Sequence, residues 1–362
     1  MNTDQSLEPA ALKRVAYKIN QLTLLRFIAA AMVLVFHTIF FFQISLSTRA
    51  YELLTSAASF FFVLSGFVLG IAWAQDGRAN KKAFYRNRFV RIYPLYFIAL
   101  TATVLVMPDT YQGVSLVADL PLDLFLSFTM TQSLYATKAL VLNQPGWTLS
   151  VEIIFSLLFP FAYSFFAGKS TKFILSVNFV LWLLSTLALG LIARFGSPIM
   201  LKYALYFPAF HLSSFLLGIG ASILFIRHNA AFNKSQRQLA LSTIALSVFW
   251  VAVRVAGIPL EHFHHSGLFN MVFVALILWM SCEKAPLKNL SANRWVLMLG
   301  ESCYGIYLLQ LPLITFLGNL EVFQKMSKGS SILTFWGVLV LISIGCFYLI
   351  ERPVLRQFRK AY

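Results

Sequence analysis

The first apolar stretch of the chain, Leu22 to Ile44 (LTLLRFIAAAMVLVFHTIFFFQI), holds an arginine and a histidine in a run long enough to cross a bilayer. A crossing helix needs roughly 20 consecutive apolar residues. No water reaches the hydrocarbon core to satisfy backbone N–H and C=O groups, so only helices and closed barrels can span it. Arg26 and His37 are eleven positions apart. At about 3.6 residues per turn that separation is three turns, so both side chains lie on one helix face, about 16 Å apart along the axis. An ionisable side chain at such depth is costly and normally faces a cavity or a partner. Histidine exchanges a proton near neutral pH. The pair points to chemistry inside the membrane.

The rest of the chain fits that reading. Of its 362 residues 59% are hydrophobic and 12% charged, where a soluble domain has about 25% charged. The fold class is all-α, a polytopic membrane protein of about ten transmembrane helices with both termini cytoplasmic. The spans read as 22–44, 58–75, 91–107, 148–167, 173–193, 207–227, 239–257, 267–282, 295–317 and 331–350. The stretch 114–137 is interrupted by Asp119, Pro121 and Asp123 and reads as one or two re-entrant or interfacial helices. Residues 1–21 form a cytoplasmic tail rather than a cleaved signal, 22–350 one transmembrane domain, and 351–362 a second tail. The net charge of +16 would suggest nucleic acid in a soluble protein. Here it follows from the positive-inside rule, because the segments on the N-terminal side of the membrane hold 21 of the 29 Lys and Arg and the opposite side six. Membrane lipid and an anionic ligand are secondary sources of such a charge; nucleic acid is not expected. Cys282, Cys303 and Cys346 show neither metal nor disulfide spacing.

Several segments carry polar residues in apolar surroundings. Arg88 and Arg91 close the first basic loop three residues apart and share a helix face. Arginine forks bind phosphate bidentately; the alternative is a basic membrane flank with Tyr93 and Tyr96 as interface anchors. In the second span Gly66 and Gly70 permit close helix approach, and Ser65 lacks the surroundings of a nucleophile elbow. Glu152 follows Trp147, Thr148 and Ser150 at the start of the fourth span. Its expected depth matches that of His37, which a carboxylate can orient; the alternative is a structural pairing with another helix. His262, His264 and His265 read as a solvated outer loop without a metal frame. His211 lies near Pro208, and Arg254 near the outer end of its span, where it can snorkel. Asp119 and Asp123 either line an acceptor groove or face water.

Taken together these blocks resemble the acyltransferase-3 family of integral-membrane O-acyltransferases, including O-antigen and Nod-factor O-acetyltransferases. The resemblance runs from about Leu22 to Pro353. It rests on Arg26-(ten residues)-His37, Phe61–Phe67 (FFVLSGF), Arg88–Pro94 (RFVRIYP), Trp147–Glu152 (WTLSVE), Gly300–Leu308 (GESCYGIYL) and Glu351-Arg352-Pro353, in the family's order. Two positions depart from its pattern: Gln310 stands where His is frequent, and Ser214 where an acid is frequent. The extra esterase-like domain of some members is not expected.

The resemblance implies transfer of an acyl group, acetyl above all, from cytoplasmic acyl-CoA to a hydroxyl of a carbohydrate or glycolipid on the outer side of a bacterial inner membrane. It implies His37 as catalytic base or transient acyl carrier and Glu152 as its orienting partner. Arg26, Arg88, Arg91 and Tyr93 would bind the donor. Ser65, Trp147, Ser150, Tyr304 and Gln310 would line the pocket. No metal and no tightly bound cofactor are expected; acyl-CoA is a co-substrate. The sequence leaves oligomeric state open, and a glycolipid transporter or flippase remains the alternative, weakened by the lack of two related halves.

Overall fold

The computed structural model describes residues 19–45, 53–75, 80–106, 116–255 and 267–359, without the side chains of 116–118, 254, 255 and 359. His262, His264 and His265, most of the N-terminal tail and the Arg254 side chain lie outside the described residues. The described chain is helical throughout, and eight helices are long and apolar enough to cross a membrane. These are α1 (Asn20–Phe41), α2 (Ala57–Gln75), α3 (Lys81–Val106), α5 (Gly146–Ala167), α6 (Thr171–Phe195), α8 (Pro208–Arg227, continuing α7, Pro198–Tyr206), α10 (Gln236–Val255) and α16 (Lys328–Cys346). Short elements join them: α4 (Leu116–Phe128), α9 (Asn229–Lys234), α11 (Asn270–Met280), α12 (Lys288–Ala292) and α15 (Glu321–Gln324).

Two of the ten expected spans take other forms. The 295–317 segment breaks at Ser302 into α13 (Arg294–Glu301) and α14 (Cys303–Gly318), bent by 55°. The 267–282 segment yields only α11, whose 11 residues rise about 16 Å, half of a hydrocarbon core. The described part of 114–137, from residue 116 on, forms α4 and a single 3-10 turn at Gln132–Leu134, too short to span, as Pro121 and the two acids imply. The helix of the third span starts earlier than expected, at Lys81, so the basic loop is largely helical. At the C-terminus α16 passes through a π-helical turn, Phe347–Glu351, into α17 (Arg352–Arg359).

Glycine sets the tightest packing. A Cβ at Gly66 would collide with the Phe215 carbonyl oxygen, and one at Gly218 with that of Val63. α2 and α8 therefore lie backbone to backbone, as small-residue helix crossings in lipid do. Around this pair Phe62, Phe155, Phe159 and Phe215 fill the interior. In contrast α6 and α10 present Leu184, Leu187, Leu191, Ile244 and Val248 outward, the pattern of lipid-facing helices.

Candidate active site

Two polar centres of the interior lie along α1. The first surrounds Arg26. Arg88 on α3 makes an ion pair with Glu152 on α5. Its Nε also donates to Ser156 Oγ at 3.1 Å, while Ser65 on α2 donates to Glu152 Oε1 at 3.1 Å. Three turns of α3 away from its start, Arg91 faces Glu351 in the π-helical turn, Nη1 to Oε2 at 3.4 Å. Glu351 is buried, and neither of its carboxylate oxygens has a hydrogen-bond donor among the described residues. Tyr304 ties α14 to α3 by donating to Ile92 O at 2.6 Å. Arg26 lies within electrostatic reach of Arg88, Arg91, Glu152 and the Cys303 thiol, yet has no ion-pair or hydrogen-bond partner among the described residues. Among the described residues three guanidinium groups thus face two carboxylates, an excess of one positive charge in a partly buried cluster. A cation excess so placed attracts an anion.

The second centre surrounds His37. Its ring is buried, flanked by Phe36 at 5.2 Å and Phe41 at 6.2 Å between centroids. The next residue, Thr38, accepts from Trp336 Nε1 at 3.0 Å, which locks α1 to α16. The polar side chain that faces His37 is Gln310 on α14. Gln310 is 1% exposed, and its Nε2 donates to Tyr307 O at 2.7 Å.

The structure therefore brings together Arg26, Arg88, Arg91, Glu152, Ser65 and Tyr304, and it sets Gln310 near His37. It does not pair His37 with Glu152, as the sequence leads one to expect. The reason is local. The chain from Gln132 to Pro145 buries Gln132, Ser133, Ala136, Ala139, Asn143 and Pro145 while Leu134, Tyr135 and Leu140 stay exposed. Asn143 donates to Leu308 O at 3.0 Å, the carbonyl that Pro312 leaves without its helical N–H. Ser133 Oγ and Ser150 Oγ are 2.7 Å apart. α5 consequently begins inside the protein, with Gly146 to Val151 buried, and Glu152 falls at the level of Arg26.

Tyr93 also departs from its expected role. It lies on the opposite face of α3 from the arginines, stacked on Phe89 at 4.7 Å and donating to Phe128 O at 3.1 Å. Trp147 packs against Phe62, Tyr206 and His211, and Ser150 holds the inserted loop. His211 bonds Leu205 O at 2.8 Å, a carbonyl orphaned where α7 stops before Pro208. Ser214 accepts from Asn270 Nδ2 at 2.9 Å. Lys138 bridges Asp119 at 2.7 Å and buried Asp123 at 2.9 Å. Its bond to Asp119, with a smaller contribution from Asp123, raises the ammonium pKa above the ordinary lysine value. Glu351 was visible in the sequence as part of a terminal block, but nothing there identified it as the partner of Arg91.

A family model described as an acyltransferase domain matches residues 19–351. The chain belongs to the acyltransferase-3 family and is an integral membrane protein. Acyltransferase MdmB from Streptomyces mycarofaciens is 35% identical over 158 residues, 40% of this chain and 39% of that protein. The match thus spans well under two thirds of MdmB. "Putative acetyltransferase ORF330" of Acidianus two-tailed virus is 26% identical over 246 residues, covering 67% of this chain and 68% of the viral protein. No solved structure matches.

Proposed function

We propose that the protein moves an acyl group, acetyl above all, from acyl-CoA to a hydroxyl of a carbohydrate or glycolipid across the membrane. The observation that carries this reading is the pairing on one helix face of a cation-rich centre at Arg26 with a buried histidine three turns away. Arg26, Arg88 and Arg91 hold the donor's phosphates at the cytoplasmic mouth. The pantetheine arm then runs along α1, and the about 16 Å between Arg26 and His37 suits its extended length. His37 takes the proton of the acceptor hydroxyl as that oxygen attacks the thioester carbonyl. The O–C bond forms, the C–S bond breaks, and the proton passes from the imidazolium to the departing thiolate. Free coenzyme A leaves by the arginine end and the acylated acceptor by the other.

This reading separates donor binding from chemistry. Arg88→Ala and Arg91→Ala should weaken acetyl-CoA binding by tenfold or more, each removing a charge-assisted contact of about 1.5–3 kcal/mol. His37→Ala should bind acetyl-CoA normally and fail to transfer. Isothermal titration in nanodiscs checks the first statement and label transfer to a glycan extract the second. Unchanged donor affinity in both arginine variants rejects the phosphate role.

A further inference from the structure

The buried environment of His37 contains two atoms, one on each of two neighbouring side chains, that lack hydrogen-bond partners among the described residues. His37 Nδ1 and Gln310 Oε1 are both buried and neither has a hydrogen-bond partner within normal distance among the described residues, although the two side chains lie within reach of one another. The orientation of the Gln310 amide is fixed from its other end. Its Nε2 donates to Tyr307 O, one turn back on α14, so the oxygen is the atom left to accept. No carboxylate or cation among the described residues acts on His37.

We propose that Gln310 is the positioning residue of His37. Its Oε1 accepts the Nδ1 proton, which fixes the neutral imidazole as the Nδ1–H tautomer and leaves the Nε2 lone pair for the acceptor hydroxyl. The inference rests on the reading of His37 as general base. In that reading a ring free to carry its proton on either nitrogen spends part of its time with the wrong atom facing the acceptor. A neutral amide gives orientation without a permanent counter-charge beside the imidazolium, a job for which a carboxylate such as Glu152 was expected.

Two substitutions separate this role from simple packing. Gln310→Met keeps the length of the side chain and suits an apolar interior, but has no oxygen. Gln310→Glu restores an acceptor oxygen at the same place. Measured as release of coenzyme A from acetyl-CoA with a glycan acceptor extract, Gln310→Met should lower kcat by about ten- to a hundredfold, the effect common for an outer partner of a working histidine. The KM for acetyl-CoA should be unchanged, and Gln310→Glu should recover most of the lost kcat. A kcat of Gln310→Met within twofold of the parent, or a Gln310→Glu no faster than Gln310→Met, overturns the proposal. His37→Ala runs beside them: if it retains turnover, the general-base reading itself fails. If it is inactive while Gln310→Met is fully active, only the positioning role fails. Thermal unfolding in the same detergent shows that each variant is folded; should Gln310→Met not fold, Gln310→Leu takes its place under the same criteria.

Discussion

At the scale of single residues, the interior carboxylates serve the arginines. Glu152 neutralises Arg88 and Glu351 faces Arg91, so loss of either acid should disturb donor binding first. Glu152→Gln is expected to raise the KM for acetyl-CoA severalfold with a smaller change in kcat, measured by steady-state release of coenzyme A. A fall in kcat with KM unchanged would return Glu152 to His37. Arg88→Ala leaves Glu152 as a partly buried unpaired charge, which costs about 1–3 kcal/mol. The double variant Arg88→Ala/Glu152→Gln should regain thermal stability without regaining donor affinity. Arg26 and His37 were legible in the sequence because ions in apolar runs stand out, and Arg88 and Arg91 because their spacing puts two guanidinium groups on one helix face. Their partners were not. Gln310 and Glu351 lie more than 250 residues further along the chain, and no local spacing connects positions that only helix packing brings together.

At the scale of elements, apolar length and glycine spacing translate directly into structure. α1, α2, α5, α6 and α16 start and stop within a few residues of where their apolar runs do. Depth does not translate in that way. A residue count assumes that a helix begins at the membrane surface, whereas α5 begins in the interior behind an inserted loop, and Glu152 was displaced by that assumption. Lys138 holds the start of this region by bridging α4. Lys138→Met leaves the buried Asp123 uncompensated, with a cost of about 3–5 kcal/mol where a buried pair loses one partner. Limited proteolysis should show new cleavage between residues 129 and 145. Because the folded-state pKa of Lys138 is raised, its contribution is complete below the ordinary lysine pKa and is lost only as pH climbs through the raised value. The parent protein should therefore give one cleavage pattern between about pH 6 and 9. Gly66→Leu drives a side chain into the backbone of α8 and should lower thermal stability by about 1–3 kcal/mol, the usual cost of overpacking. Gly337→Leu on α16, where a Cβ meets nothing within 4 Å, is the matched control and should be neutral.

At the scale of the molecule, the helices sort into an inner set that carries the Arg26 and His37 centres and an outer set that turns mainly apolar side chains outward. α1, α2, α3, α5, α14 and the π-helical turn after α16 supply both centres, while α6 and α10 turn apolar faces outward. Under the proposed reading, this division would keep a charged donor and a polar acceptor away from lipid. Composition and span count made the all-helical membrane class legible from the sequence; the bend between α13 and α14 was not, because its two halves read as one apolar run. The central claim is that donor binding and proton transfer occupy the two ends of one face of α1. Its most direct test is single-turnover transfer of label from radiolabelled acetyl-CoA to a glycan extract by protein in nanodiscs, with bound donor measured in parallel. His37→Ala should bind the full amount of donor and transfer nothing, and Arg88→Ala/Arg91→Ala should bind little donor while transferring what it binds. Transfer by His37→Ala at the parent rate, or full donor binding by the double arginine variant, would contradict the two-ended site.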